Sequence, residues 1–182
     1  MPFVIILICL FSTNVFAQKK QAAGNSVKVK ISWSYKDFKQ KIDLYEPVST
    51  YRGKFVSETR IVSRLSEAPI GKKIEGDLTA KILGGTSAVL VVENNSPEEI
   101  YFFAVPHTLN PHHASAGHYF ECLCIQQVYK VPPGKIWYRI VRVNLNESFE
   151  KISSFEINHQ IIGLTKEKAL RDYKDQIYGS SK

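Results

Sequence analysis

The stretch that decides the fold is VKVKISWSYK, residues 27–36, in which apolar and polar residues alternate strictly. Successive side chains of an extended chain point to opposite faces, so this alternation predicts a strand with one buried face and one solvated face. The predicted buried face consists of Val27, Val29, Ile31, Trp33 and Tyr35. The other face carries lysines and serines, as expected for a half-buried β-strand.

Short β-prone segments follow along the rest of the chain. They are residues 41–45, 54–65, 78–83, 88–93, 100–105, 136–145 and 155–164. Turn residues separate several of them, among them Gly71, the pair Gly84-Gly85 and the segment VPPGK at residues 131–135. This spacing predicts an all-β fold, an antiparallel β-sandwich or barrel, and strand count alone does not separate the two.

Helical periodicity is confined to the C-terminal tail. Residues 165–178 place Leu170, Tyr173 and Ile177 on one stripe, with charges elsewhere, and this pattern predicts a short C-terminal helix. The predicted organisation is a β-sandwich domain over residues 27–164, followed by a helix and tail over residues 165–182.

The N-terminal segment predicts export. Residues 2–17 contain an apolar run of about ten residues and end in Val15-Phe16-Ala17, which suits signal-peptide cleavage after Ala17. The first positive charges, Lys19 and Lys20, follow the run instead of preceding it, so an uncleaved membrane anchor is the alternative. Either reading predicts a periplasmic or secreted domain, joined to the N-terminal segment by a linker at residues 18–26.

Composition restricts the class of partner. A hydrophobic content of 44% and a charged content of 23% are those of an ordinary globular protein. The net charge of +7 is compatible with association with an anionic membrane surface. Because the basic residues are spread along the chain, the sequence predicts no nucleic-acid partner.

The chemistry-bearing residues are concentrated in residues 107–127, HTLNPHHASAGHYFECLCIQQ. Cleavage of the leader would leave only Cys122 and Cys124, whose apolar neighbours predict a strand with both thiols on one face. Two such Cβ atoms would be about 6.6 Å apart, whereas a relaxed disulfide needs about 3.8 Å. A metal ion needs the two sulfurs only roughly 4.5 Å apart, so a metal is the easier bridge.

Four histidines in the same stretch add nitrogen ligands. Soft thiolates select soft ions, Cu(I) foremost in an oxidising compartment, and imidazole suits copper or zinc. The predicted metal ligands are Cys122, Cys124, His118, His113, His112 and His107. The structural alternative is that the cysteines are small buried hydrophobes and the histidines form a polar loop. His159, in a later strand, is predicted to be a core or edge histidine with satisfied hydrogen bonds, and contact with the site is its alternative.

The same region resembles the CtaG-type cytochrome c oxidase assembly proteins, which are copper chaperones with an immunoglobulin-like sandwich. The resemblance covers roughly residues 86–164 and lies in the order and spacing of short elements. These are Asn110-Pro111, Ala116-Gly117, Tyr119-Phe120, Cys122-Leu123-Cys124-Ile125 and Pro133-Gly134-Lys135. Leu123 and Ile125 replace the phenylalanines of that family's copper motif, and the histidine run is not part of its pattern.

The resemblance implies a Cu(I) carrier that catalyses no reaction. Cys122 and Cys124 would hold the ion, and His118 and His113 would act as extra ligands or acceptors. The implied partners are a metal recipient protein, such as an oxidase subunit, and a second copy of the chain. Ligands must be deprotonated, so metal affinity is expected to fall as pH drops through about 6.5.

Two other functional classes stay open. A secreted β-sandwich interaction module would carry the same cysteines buried as structural residues, with no metal. A thiol enzyme would need a histidine within about 3 Å of one activated thiol. Glu121 would point away from Cys122 in a strand, and neither thiol lies in a nucleophile motif, so the sequence predicts a protein that is not an enzyme.

Overall fold

The computed structural model describes residues 26–49, 58–121 and 123–178, and in them the chain forms strands and one short α-helix. The strands are β1 Ser26–Lys36, β2 Asp43–Pro47, β3 Thr59–Val62, β4 Ile70–Lys73, β5 Leu78–Lys81, β6 Gly85–Glu93, β7 Ile100–Ala104, β8 Thr108–Asn110, β9 His118–Glu121, β10 Val128–Val131, β11 Ile136–Leu145, β12 Ser154–Leu164 and β13 Ile177–Tyr178. The helix, α1, spans Lys166–Asp172.

These strands form two facing sheets. One sheet has the order β13-β10-β7-β12-β1-β5, with β8 also paired to β12. The other has the order β3-β11-β6-β2-β4, with β9 also paired to β11. The predicted all-β sandwich with a short C-terminal helix is therefore confirmed. The pairing is not wholly antiparallel, because β1 runs parallel to β12 and β10 runs parallel to β13.

The alternation in β1 produces the predicted buried face. Val27 and Val29 are fully buried, Ile31 and Trp33 are half-buried, and Tyr35 is 39% exposed. Burial therefore decreases along the strand. Trp33 lies opposite His159 in the parallel pairing of β1 with β12, which places an aromatic ring beside a histidine at the edge of the core.

Aromatic side chains join the two sheets at the centre of the core. Phe102 of β7 and Tyr129 of β10 belong to one sheet, and Trp137 of β11 belongs to the other. The Trp137 ring lies 5.2 Å from Phe102 and 4.9 Å from Tyr129, both in edge-on contact. All three are fully buried. Large interlocking rings of this kind contribute strongly to the stability of a core.

Several sequence predictions lie wholly or partly outside the described residues. These are the leader at residues 1–17, nearly all of the linker, and the first part of the strand predicted at residues 54–65, of which β3 Thr59–Val62 is described.

Gly71, predicted to mark a turn, lies inside the short edge strand β4. In the part of the chain that the structure describes, no helix is both long and apolar enough to cross a membrane.

The C-terminal helix is shorter than predicted. It ends at Asp172, and Tyr173 leaves the helical region with φ −134° and ψ 18°. Ile177 then pairs with Val128 as β13, so a sheet contact replaces the expected helical continuation. Within α1 the buried residue is Ala169, whereas Leu170 of the predicted stripe is 45% exposed. The helical periodicity of residues 165–178 does not show that the end of this segment pairs with β10, so the sequence pattern overestimated the length of the helix.

A charged cluster around Glu99 connects α1 to the first sheet, and it predicts acid sensitivity. The carboxylate accepts from Lys130 at 2.6 Å, Lys166 at 3.0 Å and the Tyr101 hydroxyl at 2.8 Å. These hydrogen bonds lower the pKa of Glu99 from 4.5 to about 2. A lowered carboxyl pKa stabilises the native state above pH 4.5, and this contribution disappears as pH falls towards 2.

We therefore expect Glu99→Gln to lower the free energy of unfolding at neutral pH by about 1–2 kcal/mol, since the cluster is partly solvated. The difference from the wild type should shrink between pH 4.5 and 2. Urea unfolding of both proteins across this range measures the effect. A constant difference at every pH would contradict the assignment.

Gly163 allows the turn after β1 to approach β12 closely. A Cβ atom at this position would overlap the carbonyl oxygen of Asp37, whose own φ is 56°. We expect Gly163→Ala to lower the free energy of unfolding by about 1–3 kcal/mol, since the backbone must move to make room. Gly84→Ala is the control, because a Cβ there meets only ordinary contact with Lys81. Equal urea midpoints for the two variants would contradict this prediction.

Candidate metal centre

The chain just before and just after His107 is attached to β12. The Val105 N–H donates to the Gln160 carbonyl at 2.9 Å, and β8 starts at Thr108, which pairs with Asn158. The half-buried His107 therefore lies between two segments fixed to the same strand. Its ring centroid is 5.3 Å from that of His159.

His159 occupies a core-facing position of β12. Its neighbours on that face, Ile157 and Ile161, are fully buried, and His159 itself is only 2% exposed. Its ring stacks on Trp33, with centroids 5.0 Å apart and planes 16° from parallel. The prediction of a core position is confirmed. The prediction of satisfied hydrogen bonds is wrong, because Nε2 is buried and has no partner among the described residues.

Burial determines the protonation of His159. Desolvation and the nearby His107 lower its pKa to about 3, against a smaller opposing effect of the Val105 backbone. The imidazole is therefore neutral across the physiological range. A neutral imidazole needs no deprotonation before it binds a metal. A buried histidine whose Nε2 has no partner among the described residues is also a costly core residue, and such local costs are typical of functional sites.

Cys124 reaches these histidines from a turn, which corrects the predicted strand. β9 ends at Glu121, and the chain then bends, with the Ile125 N–H donating to the Leu123 carbonyl at 2.9 Å. Gln126 has a left-handed φ of 55°, which a continuing strand would not allow. Leu123 is fully buried and fixes the turn to the core. Cys124 is half-buried, with its sulfur directed at the two imidazoles.

The three side chains form what we call the His–Cys cluster, consisting of His107, Cys124 and His159. The Cys124 Sγ lies 3.6 Å from His107 Nδ1 and 3.7 Å from His159 Nδ1. One ligand atom from each residue lies within 4.8 Å of the others. With bonds of about 2.0–2.1 Å to nitrogen and about 2.3 Å to sulfur, the two sulfur–nitrogen gaps correspond to angles of roughly 110–120° at an ion. The cluster therefore has the ligand types of a transition-metal site, and its two sulfur–nitrogen gaps fit a single ion.

Two aromatic rings lie beside the imidazoles of the cluster. The Phe120 centroid lies 5.6 Å from that of His107 and 5.6 Å from that of His159, and Trp33 stacks on His159. Apolar groups beside a metal site limit solvent access to it. Tyr119 and Ile125, next in sequence to His118 and Cys124, are 64% and 51% exposed.

The remaining predicted ligands are placed differently. His118, at the start of β9, lies next to the cluster, with its Nε2 3.2 Å from His107 Nε2. His112 and His113 are exposed on the 3₁₀ helix His112–Gly117 and are not members of the His–Cys cluster. Cys122 lies outside the described residues. The structure thus brings together His107, His118 and Cys124 from the predicted set.

His159 is the cluster member that sequence reasoning assigned to the core. The available signal was a histidine among apolar residues on the buried face of a strand, Phe155, Ile157 and Ile161. His159 lies close to Cys124 because distant parts of the chain pack together, and the sequence alone does not show this packing.

The fold and the cluster together define a two-sheet β-sandwich protein with a candidate His–Cys metal centre at one edge of its core. The chain belongs to the family described as a domain of unknown function, DUF8709, whose family model matches residues 27–164. No curated protein and no solved structure matches the chain. None of these comparisons links it to the CtaG-type assembly proteins, so that resemblance stays a prediction.

Proposed function

We propose that this protein binds a soft transition-metal ion, with Cu(I) as the first candidate, in the His–Cys cluster. The observation that carries the proposal is the Cys124 sulfur within 3.6 and 3.7 Å of nitrogens on two different imidazoles. A thiolate selects a soft ion, and imidazole is a good ligand for copper. His159 is neutral, and its Nδ1 faces the Cys124 sulfur at 3.7 Å, so this nitrogen is placed to share an ion with the thiolate.

The three proposed ligands are unequally buried, which favours a protein that carries and releases the metal ion over one that stores it permanently. His159 is fully buried on a strand, whereas His107 and Cys124 are half-buried on connecting segments. An incoming thiol could therefore displace the ion from Cys124 first, which is how a carrier releases its cargo. The exposed Tyr119 and Ile125 beside these segments offer apolar contact to a recipient protein.

The wider proposal rests on the sequence. The N-terminal segment predicts export, and the CtaG-type resemblance predicts delivery of Cu(I) to an oxidase subunit. We propose an exported Cu(I) carrier on these grounds, with no catalysed reaction of its own. The alternative is a secreted β-sandwich interaction module without metal, and it would be favoured if the protein took up no copper.

Trp33 provides a direct optical test, because its ring stacks on a proposed ligand. We expect Cu(I), added under reducing conditions, to quench Trp33 fluorescence and to saturate at one ion per chain. Trp33→Phe should remove the signal without removing uptake, since Trp137 lies apart in the central core. His113→Ala is the control variant and should titrate like the wild type. Quenching that never saturates, or uptake that is equally weak in the wild type and in Cys124→Ser, would contradict the proposal.

A second candidate function follows from the ligand types. Two imidazoles and one thiolate are the equatorial ligands of copper electron-transfer sites. This alternative predicts that Cu(II) gives a stable, intense visible absorption that is reversibly lost on reduction. The carrier proposal predicts that Cu(II) is held weakly or oxidises the thiol. Absorption spectroscopy with added Cu(II) distinguishes the two.

A further inference from the structure

The His107 ring has different neighbours at its two nitrogens. Nδ1 lies 3.6 Å from the Cys124 sulfur, inside the His–Cys cluster. Nε2 lies 3.2 Å from Nε2 of His118, outside it, and the two rings meet edge-on with centroids 5.5 Å apart. His118 therefore contacts the side of His107 that faces away from the thiol.

The chemistry of imidazole assigns roles to these two contacts. A neutral imidazole has a lone pair on one nitrogen and a proton on the other. If Nδ1 of His107 gives its lone pair to a metal, Nε2 must carry the proton. That N–H points at His118 Nε2, which can accept it only if His118 carries its own proton on Nδ1.

We propose that His118 is a positioning residue for the metal centre and is not a ligand. It accepts a hydrogen bond from His107 Nε2 and so fixes His107 in the tautomer that leaves Nδ1 free for the ion. This inference rests on the proposed function, and it reassigns a residue that the sequence predicted to bind metal directly.

The fold supports this division of roles. His118 begins β9 and pairs with Leu145 of β11, so its backbone is fixed by a sheet. His107 lies between β7 and β8, outside any strand, and the 3.2 Å approach to His118 is one of the contacts that its ring makes. Outer partners of ligating histidines act in this way in metal sites, and their loss typically costs 10–100-fold in metal affinity.

Two substitutions at His118 separate positioning from ligation. His118→Leu keeps bulk and removes the acceptor, whereas His118→Gln retains an amide oxygen that can accept from His107. Competitive Cu(I) titration should show affinity weakened by about 10–100-fold in His118→Leu and largely restored in His118→Gln. His113→Leu, on the exposed 3₁₀ helix, is the matched control and should bind like the wild type. Copper X-ray absorption should give the same number of nitrogen ligands in all four proteins.

Nuclear magnetic resonance of the metal-free protein provides a readout that does not depend on the proposed function. At about pH 8, above the ordinary histidine pKa of about 6.5, long-range ¹⁵N–¹H spectra should show the proton of His107 on Nε2. The same tautomer should persist in His118→Gln and be lost, or mixed with the other, in His118→Leu. Failure of the wild type to bind Cu(I) would overturn the proposed function and leave this tautomer result to decide the role of His118.

Three results would overturn the inference. The first is a proton on Nδ1 of His107 in the wild type. The second is unchanged Cu(I) affinity in a folded His118→Leu variant. The third is loss of one nitrogen ligand in both His118 variants, which would make His118 a ligand.

Discussion

Replacement of Cys124 by serine is expected to weaken Cu(I) binding by more than about 100-fold, beyond the usual cost of losing an outer partner. The reason is the softness of the ligand. Serine offers a hard hydroxyl that is not ionised at neutral pH, so two imidazoles would hold the ion without the thiolate that selects it. Competitive titration against a Cu(I) chelator under reducing conditions measures the change.

Two controls make this result specific to the cluster. Thermal unfolding of the metal-free variant should match that of the wild type, because the half-buried Cys124 side chain differs from serine by one atom. Cys122→Ser, assayed in parallel, tests the prediction that the neighbouring cysteine also contributes a ligand. Wild-type affinity in Cys124→Ser would rule out the His–Cys cluster as the metal site.

Replacement of His159 by leucine is expected to separate stability from metal binding. Leucine has a similar volume and suits a position between Ile157 and Ile161, and it removes a buried nitrogen that has no partner among the described residues. We expect the free energy of unfolding of the metal-free protein to stay level or rise by about 1 kcal/mol, since an unsatisfied buried polar group is costly. The stabilisation that we expect Cu(I) to give the wild type should disappear.

Thermal unfolding with and without Cu(I) measures both effects, because a ligand that binds only the native state raises its melting temperature. Phe155→Leu, on the same face of β12 but outside the cluster, is the matched control and should keep the response to Cu(I). A His159→Leu protein that still gains stability from Cu(I) would contradict the assignment of His159. Severe destabilisation of the metal-free variant would show that the histidine is a structural residue.

The long strands could be predicted from the sequence, because each shows its alternating or continuously apolar pattern within its own residues. β1, β11 and β12 alternate or run apolar over ten or more residues, so their existence followed from the chain alone. The short strands β8 and β13 have too few residues to show a period, and they form because they pair with longer strands. The parallel pairing of β1 with β12 is likewise a property of the assembled sheets.

The candidate site could be predicted only in part. His107 and Cys124 were identified because cysteine and histidine concentrated in one stretch indicate metal binding. The strand expected to carry both thiols ends at Glu121, because the buried Leu123 and the left-handed Gln126 bend the chain. His159 was assigned to the core because its local pattern is that of a core strand. His159 lies near Cys124 only because β8, β12 and the turn after β9 come together in the folded protein.

The most direct test of the central claim is copper X-ray absorption on the Cu(I)-loaded protein, compared with its Cys124→Ser and His159→Leu variants. The account predicts sulfur and imidazole scattering together in the wild type. It also predicts one sulfur fewer in Cys124→Ser and one imidazole fewer in His159→Leu, at whatever residual loading these variants reach. Identical copper environments in all three proteins would contradict it.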